Sequence, residues 1–111
     1  MDEQTTLRER YKSAYADILA LPEMREHRRA IQEAYGEARE RDRLAGSAQR
    51  AAARGNLGAE RIADDYADEA DAADARHARL CMEYEIALED ALIAAGIPVG
   101  LFRSPAKRGS K

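Results

Sequence analysis

Apolar residues recur at alternating intervals of three and four positions along most of this chain, which is the spacing of one face of an α-helix. Three such stretches predict helices at about residues 3–21, 23–54 and 59–95. Pro22 separates the first two helices, because proline lacks the amide hydrogen that a helix interior requires. Gly46 is a weak point inside the second stretch, and one continuous helix is the favoured interpretation there.

A short glycine-rich segment, Gly55 to Gly58, predicts a reversal between the two long helices, since glycine adopts the positive φ angles that such turns require. Gly96 and Pro98 give the corresponding stop signal after the third helix. If the two long helices run antiparallel on either side of this reversal, Tyr35 lies opposite His77.

The predicted fold is all-α: a three-helix bundle dominated by a long, antiparallel, alanine-rich and coiled-coil-like helical hairpin. Residues 1–98 form a single helical domain in this interpretation, and residues 99–111 form a flexible, extended or disordered basic tail. Alanine supplies about half of the 45% hydrophobic content, and tryptophan is absent. Because an alanine methyl group buries little area, the hydrophobic stabilisation is expected to be modest, with homodimerisation or partner binding as a supplement.

Charge is unevenly distributed along the chain, although the net charge is only −3. The third predicted helix carries eleven carboxylates against three arginines, whereas the second carries eight arginines that six carboxylates largely neutralise. The last 16 residues contain four basic side chains and no acidic one. Since nucleic-acid binding needs a net positive face, the second helix is not expected to bind DNA or RNA.

The most distinctive surface feature is the acidic run in the first half of the third helix. It predicts a docking face for a basic surface of another protein, because complementary charge steers and orients such complexes. The predicted partner-binding residues are Leu57 at the tip of the hairpin and Asp64, Asp65, Asp68, Glu69, Asp71 and Asp74. The more common role of such a run is a solvated helix face, here partly neutralised by Arg39, Arg43 and Arg50 in a pairing that would fix the register of the two helices. Mimicry of a nucleic-acid backbone is a further alternative.

The sequence therefore favours a small protein–protein interaction module, such as an adaptor, an assembly factor or an inhibitor. A first alternative is a nucleic-acid-associated regulator that places the basic tail on phosphates. Its contact residues would be Arg103, Lys107, Arg108 and Lys111. A second alternative is a structural spacer in a phage or cellular assembly, and the abundance of arginine and alanine favours a bacterial or phage origin.

Candidate chemistry is sparse in this sequence. Asp74 and His77 have the helical spacing of a metal-ligating pair, as do Glu23 and His27, but the hairpin keeps the two pairs apart. A hydrogen bond from each histidine to a facing tyrosine is the preferred interpretation. No catalytic, cofactor or metal site is predicted, and the protein is not expected to be an enzyme.

The single cysteine, Cys81, cannot form an intrachain disulfide. No secretory signal is recognised, and no apolar run is long enough to span a bilayer. The expected localisation is cytoplasmic, without membrane association.

Overall fold

The computed structural model describes residues 3–56 and 58–102 of the 111-residue chain. Within these residues it has no strand and three helices, α1 (Glu3–Leu19), α2 (Pro22–Ala53) and α3 (Ala59–Ala94). The long helices α2 and α3 pack against each other, which confirms the prediction of an all-α helical hairpin bundle. As predicted, α2 is continuous through Gly46.

The helix ends lie within two residues of their predicted positions. α1 ends at Leu19, before the predicted end at residue 21, and α2 begins at Pro22. Proline suits a first helical position because its ring fixes a helical φ angle, and the amide that it lacks would have no acceptor within the helix. α2 and α3 end at Ala53 and Ala94, just before glycine-centred turns.

A Schellman motif ends α2 and starts the reversal of the chain. Gly55 has a φ angle of 87°, and its amide donates to the carbonyl oxygen of Ala52 at 2.9 Å. The amide of Asn56 donates to the carbonyl oxygen of Ala51 at 3.3 Å. These two bonds satisfy carbonyl groups that a helix end otherwise leaves without partners, and glycine adopts the required φ angle without steric cost.

The chain divides into two compact units. The first joins Met1–Arg25 to Glu85–Lys111, and the second is Glu26–Tyr84. The helices α2 and α3 contribute residues to both units.

The first unit has a core of large apolar side chains. Its buried apolar residues are Ile18, Met24, Leu92, Ile97 and Leu101. Gly96, with a φ angle of 77°, ends α3 in a second Schellman motif, in which the Ile97 amide donates to the Leu92 carbonyl oxygen at 2.9 Å. The side chains of Ile97 and Leu92 are both buried, in keeping with the apolar contact that often accompanies this motif.

Further contacts hold the C-terminal turn of the first unit on α1. Arg8 Nε donates a hydrogen bond of 3.0 Å to the carbonyl oxygen of Leu101. The rings of Tyr15 and Phe102 stack with their centroids 4.0 Å apart. Residues 99–102, at the start of the predicted tail, therefore form a turn, and residues 103–111 lie outside the described residues.

The second unit buries small side chains. Its buried apolar residues are Ala34, Ala38, Ala45, Ala59, Ala63, Ala70 and Ala73. They come from both α2 and α3, so the two helices meet along a seam of alanine. Because methyl groups alone do little to define a register, we expect polar and aromatic side chains beside the seam to contribute to it.

Candidate functional site on the helical hairpin

Two histidine–tyrosine contacts join α2 to α3 in the second unit. The ring centroids of Tyr35 and His77 are 5.6 Å apart, and the ring planes make an angle of 49°. Those of His27 and Tyr84 are 6.1 Å apart at 60°. Tilted rings at these separations are a favourable arrangement for aromatic side chains. These contacts confirm the predicted facing of Tyr35 with His77 across the antiparallel pair.

The prediction of histidine–tyrosine hydrogen bonds is wrong, because neither pair forms one among the described residues. His77 Nε2 instead lies 3.6 Å from Cys81 Sγ, one helical turn later on α3. The Tyr84 hydroxyl accepts a long hydrogen bond of 3.5 Å from Arg28 Nη1. The two histidine–tyrosine pairs therefore meet through their rings.

Two ion pairs connect the helices along one edge of the alanine seam. Arg41 Nη1 lies 3.1 Å from Glu69 Oε1, and Arg76 Nη1 lies 3.3 Å from Glu37 Oε1. The four side chains surround a shallow depression of about 240 Å³ whose floor is alanine. They are between 39% and 51% exposed, so solvent screens both ion pairs and each contributes little to stability.

The arginine of α2 that pairs with α3 among the described residues is none of the three predicted, which were Arg39, Arg43 and Arg50. Arg43 bonds to Glu40 within α2, with 2.6 Å between Nη2 and Oε2. The guanidinium of Arg39 lies 5.8 Å from the centroid of the Tyr35 ring. Arg41 is the arginine of α2 that pairs with the predicted docking face, and its partner there is Glu69.

Asp74, another residue of the predicted docking face, has an acidic neighbour on α2. Partial loss of solvation and the nearby Asp42 carboxylate raise the pKa of Asp74, and Asp71 acts in the same direction. His77 opposes them as a weaker influence. The charges of Asp74 and Asp42 therefore oppose each other across the two helices.

The remaining four aspartates of the predicted docking face form a compact exposed surface. This aspartate patch comprises Asp64, Asp65, Asp68 and Asp71. All four are exposed, and none forms a salt bridge within the described residues. At about 100° and 1.5 Å per residue, the patch spans about 120° of the helix surface and about 10 Å of its length. Leu57, predicted at the tip, lies outside the described residues.

Evidence for a metal site or a bilayer-spanning helix is lacking in the described part of the chain. Its His, Cys, Asp and Glu side chains form no group of three or more that could hold a metal ion. None of its helices combines the length and the apolar character needed to cross a membrane. The predicted nucleic-acid contacts lie beyond residue 102, outside the described residues.

The sequence analysis missed a set of large apolar side chains on the solvent side of α3. Met82, Ile86 and Ile93 are 57%, 55% and 63% exposed. They are spaced by four and seven residues, the same helical spacing that identified the face packed on α2. The sequence signal that marks these three residues is a second apolar stripe on the same helix.

Comparisons with known proteins do not assign a family. No family model, curated protein or solved structure matches this chain. The fold alone defines the class of protein, an all-α helical hairpin bundle. Its function is inferred from its surfaces.

Proposed function

We propose that this protein is a helical protein–protein interaction module, and that its aspartate patch docks on a basic surface of a partner protein. The observation that carries the proposal is the exposure of four aspartates without a salt bridge among the described residues. The neighbouring helix α2 is rich in arginine, yet its ion pair with the predicted docking face goes to Glu69. The patch is thus left available to a cationic partner.

The cost of the patch to its own helix supports a role in binding. Asp64 and Asp68 are four residues apart, and Asp71 follows Asp68 by three, so their charges are neighbours on the helix surface. Like charges at these spacings destabilise a helix by about 0.2–0.5 kcal/mol per pair. A basic partner surface removes this repulsion and gains the attraction of complementary charge.

Affinity capture from host cells with matched variants tests the proposal. The patch variant is Asp64→Asn/Asp68→Asn/Asp71→Asn, which removes three charges at nearly constant side-chain volume. The control, Glu9→Gln/Glu23→Gln/Glu33→Gln, removes three charges from exposed positions elsewhere in the chain. A specific partner should be retained by the wild type and by the control, and lost from the patch variant.

The dissociation constant for the purified partner then gives the quantitative test. We expect the patch variant to bind at least about tenfold more weakly than the control, and the difference to shrink as salt is added. Equal affinity of the patch variant and the control would reject the proposal.

The two alternative functions stay predictions. The tail residues that a nucleic-acid-associated regulator would use lie outside the described residues. A structural spacer does not require any particular surface of the protein. Truncation before residue 103 separates the regulator from the interaction module. Loss of salt-dependent DNA or RNA binding with retained partner capture would assign the two activities to different parts of the chain.

A further inference from the structure

The C-terminal part of α3 exposes two isoleucines in the first unit. Ile86 is 55% and Ile93 is 63% exposed. They are seven residues apart, which is two helical turns, so they lie on one side of the helix. The same side of the helix carries the exposed Met82 one turn earlier.

These isoleucines do not belong to the core of the unit. Leu92, which directly precedes Ile93, is only 6% exposed and belongs to the core, as does Ile97, which is 2% exposed. α3 therefore buries one side and presents the isoleucines on another. Single exposed apolar residues are common on protein surfaces, but two at helical spacing form a stripe.

Acidic side chains border the stripe on both edges. At about 100° per residue, Glu85 and Asp90 lie on opposite sides of the line that joins Ile86 to Ile93. Both carboxylates are exposed. Residues 85–94 contain three carboxylates and no lysine or arginine. The isoleucine stripe is therefore an apolar strip between acidic edges.

The acidic edges determine the kind of occupant. A symmetric dimer places the same patch of two copies face to face, so a self-paired stripe would bring its carboxylates against one another. An amphipathic helix with a basic polar face complements both the apolar strip and its edges.

We propose that the isoleucine stripe, Ile86 and Ile93 between Glu85 and Asp90, docks a basic amphipathic helix of another protein. The apolar positions of the incoming helix pack on the isoleucines, and its lysines or arginines lie against the acidic edges. This surface belongs to the first unit, whereas the aspartate patch belongs to the second, so the inference does not rest on the proposed function.

A pair of synthetic peptides tests the inference with the full-length protein. The probe is a leucine–lysine peptide of about 18 residues, with leucines on one face of a helix. Its control has the same composition in an order without an apolar face. The measured quantity is the ratio of the two affinities, because this ratio cancels attraction that depends on net charge alone.

Three protein variants locate the site. Ile86→Gln/Ile93→Gln removes the stripe, Ile62→Gln removes another exposed isoleucine of α3, and the aspartate patch variant removes the acidic face of the second unit. Circular dichroism checks that each variant keeps its helices.

The wild type should prefer the amphipathic peptide by about tenfold or more, a difference of about 1.4 kcal/mol. Ile86→Gln/Ile93→Gln should abolish the preference, and the other two variants should keep it. Equal binding of both peptides, or a preference that survives Ile86→Gln/Ile93→Gln, overturns the inference. The inference is also overturned if the wild type is a dimer and this double variant is a monomer, because a second copy of the protein would then cover the stripe.

Discussion

Tyr35 of α2 and His77 of α3 lie ring to ring across the hairpin, with their centroids 5.6 Å apart and their planes at 49°. This contact and its counterpart between His27 and Tyr84 join side chains that are larger than the buried alanines of the seam. We therefore expect these bulky side chains to help set the register of the two helices.

Replacing both rings of the Tyr35–His77 pair should show that they interact. In a double-mutant cycle with Tyr35→Ala and His77→Ala, we expect a coupling energy of about 0.5–1.5 kcal/mol, because aromatic pairs contribute this much beyond their buried area. Urea unfolding measures it. A cycle of Tyr35→Ala with Ile62→Ala is the control, since Ile62 lies about 22 Å before His77 on α3 and the effects should add. Additive effects for Tyr35 and His77 would contradict the contact.

Reversing the charges of the Glu37–Arg76 ion pair should test the same register independently. Either single change, Glu37→Arg or Arg76→Glu, places like charges across the helices and should lower the free energy of unfolding. The double variant should recover most of the loss, with a coupling of about 0.2–1 kcal/mol, as for other exposed ion pairs. In about 0.5 M NaCl the coupling should fall, because salt screens exposed charges. If the loss of unfolding free energy in the double variant equals the sum of the two single losses, the two side chains do not interact.

Asp74→Asn should stabilise the protein near pH 7. The pKa of Asp74 in the folded protein is raised above the ordinary value of 3.8, so between these two values the folded state holds more proton than the unfolded state. The stability that this group contributes is therefore fully present below pH 3.8 and is lost as the pH rises through the folded-state pKa. Asparagine does not ionise, so the gain of the variant near pH 7 should vanish in acid.

Glu40 provides a control of opposite sign for this titration. A hydrogen bond and the charge of Arg43 lower the pKa of Glu40 below 4.5, so its contribution to stability is present above that value and is lost as the pH falls through the folded-state pKa. Glu40→Gln should accordingly be less stable than the wild type near pH 7. Urea unfolding at neutral and acidic pH compares the two variants, and a destabilised Asp74→Asn at neutral pH would refute the assignment.

Replacing two glycines of the second unit with alanine should change the free energy of unfolding in opposite directions. Gly36 lies inside α2 with open space where a Cβ atom would be, so Gly36→Ala should stabilise the helix by about 1 kcal/mol. Gly55 also has open space, but its φ angle of 87° is unfavourable for alanine, and Gly55→Ala should cost about 1–2 kcal/mol. The difference in urea midpoint between the variants measures this contrast. Shifts of the same sign would argue against the turn at Gly55.

The hairpin could be predicted from the sequence because its signals are local. The three-four spacing, the turn at Gly55 to Gly58 and the stop at Gly96 each act within a few residues, and together they placed Tyr35 opposite His77. The turn of residues 99–102 was not predicted. Leu101 is buried, and its carbonyl oxygen accepts a hydrogen bond from Arg8 of α1, which is far away in the sequence, so local spacing does not predict this contact.

The ion pairs of the hairpin were only partly predictable. Charge counts indicated that arginines of α2 meet the acidic helix, but they did not select Arg41. Arg41 lies three residues after Ala38 and four before Ala45, which places it beside the seam. A count of charges does not record on which side of the helix each charge lies. The isoleucine stripe was not predicted for a related reason, since it lies on a different face of α3 from the stripe that packs on α2.

The most direct test of docking through the aspartate patch is to observe its carboxyl groups while a basic ligand binds. Carbon-13 NMR signals of the aspartate and glutamate carboxyls can be followed during titration with an arginine-rich peptide, used as a stand-in for the basic partner surface. We predict saturable shifts at Asp64, Asp65, Asp68 and Asp71, with smaller changes at Glu37 and Glu69, which already have arginine partners. Shifts spread evenly over all exposed carboxylates, or largest outside the patch, would contradict the proposal.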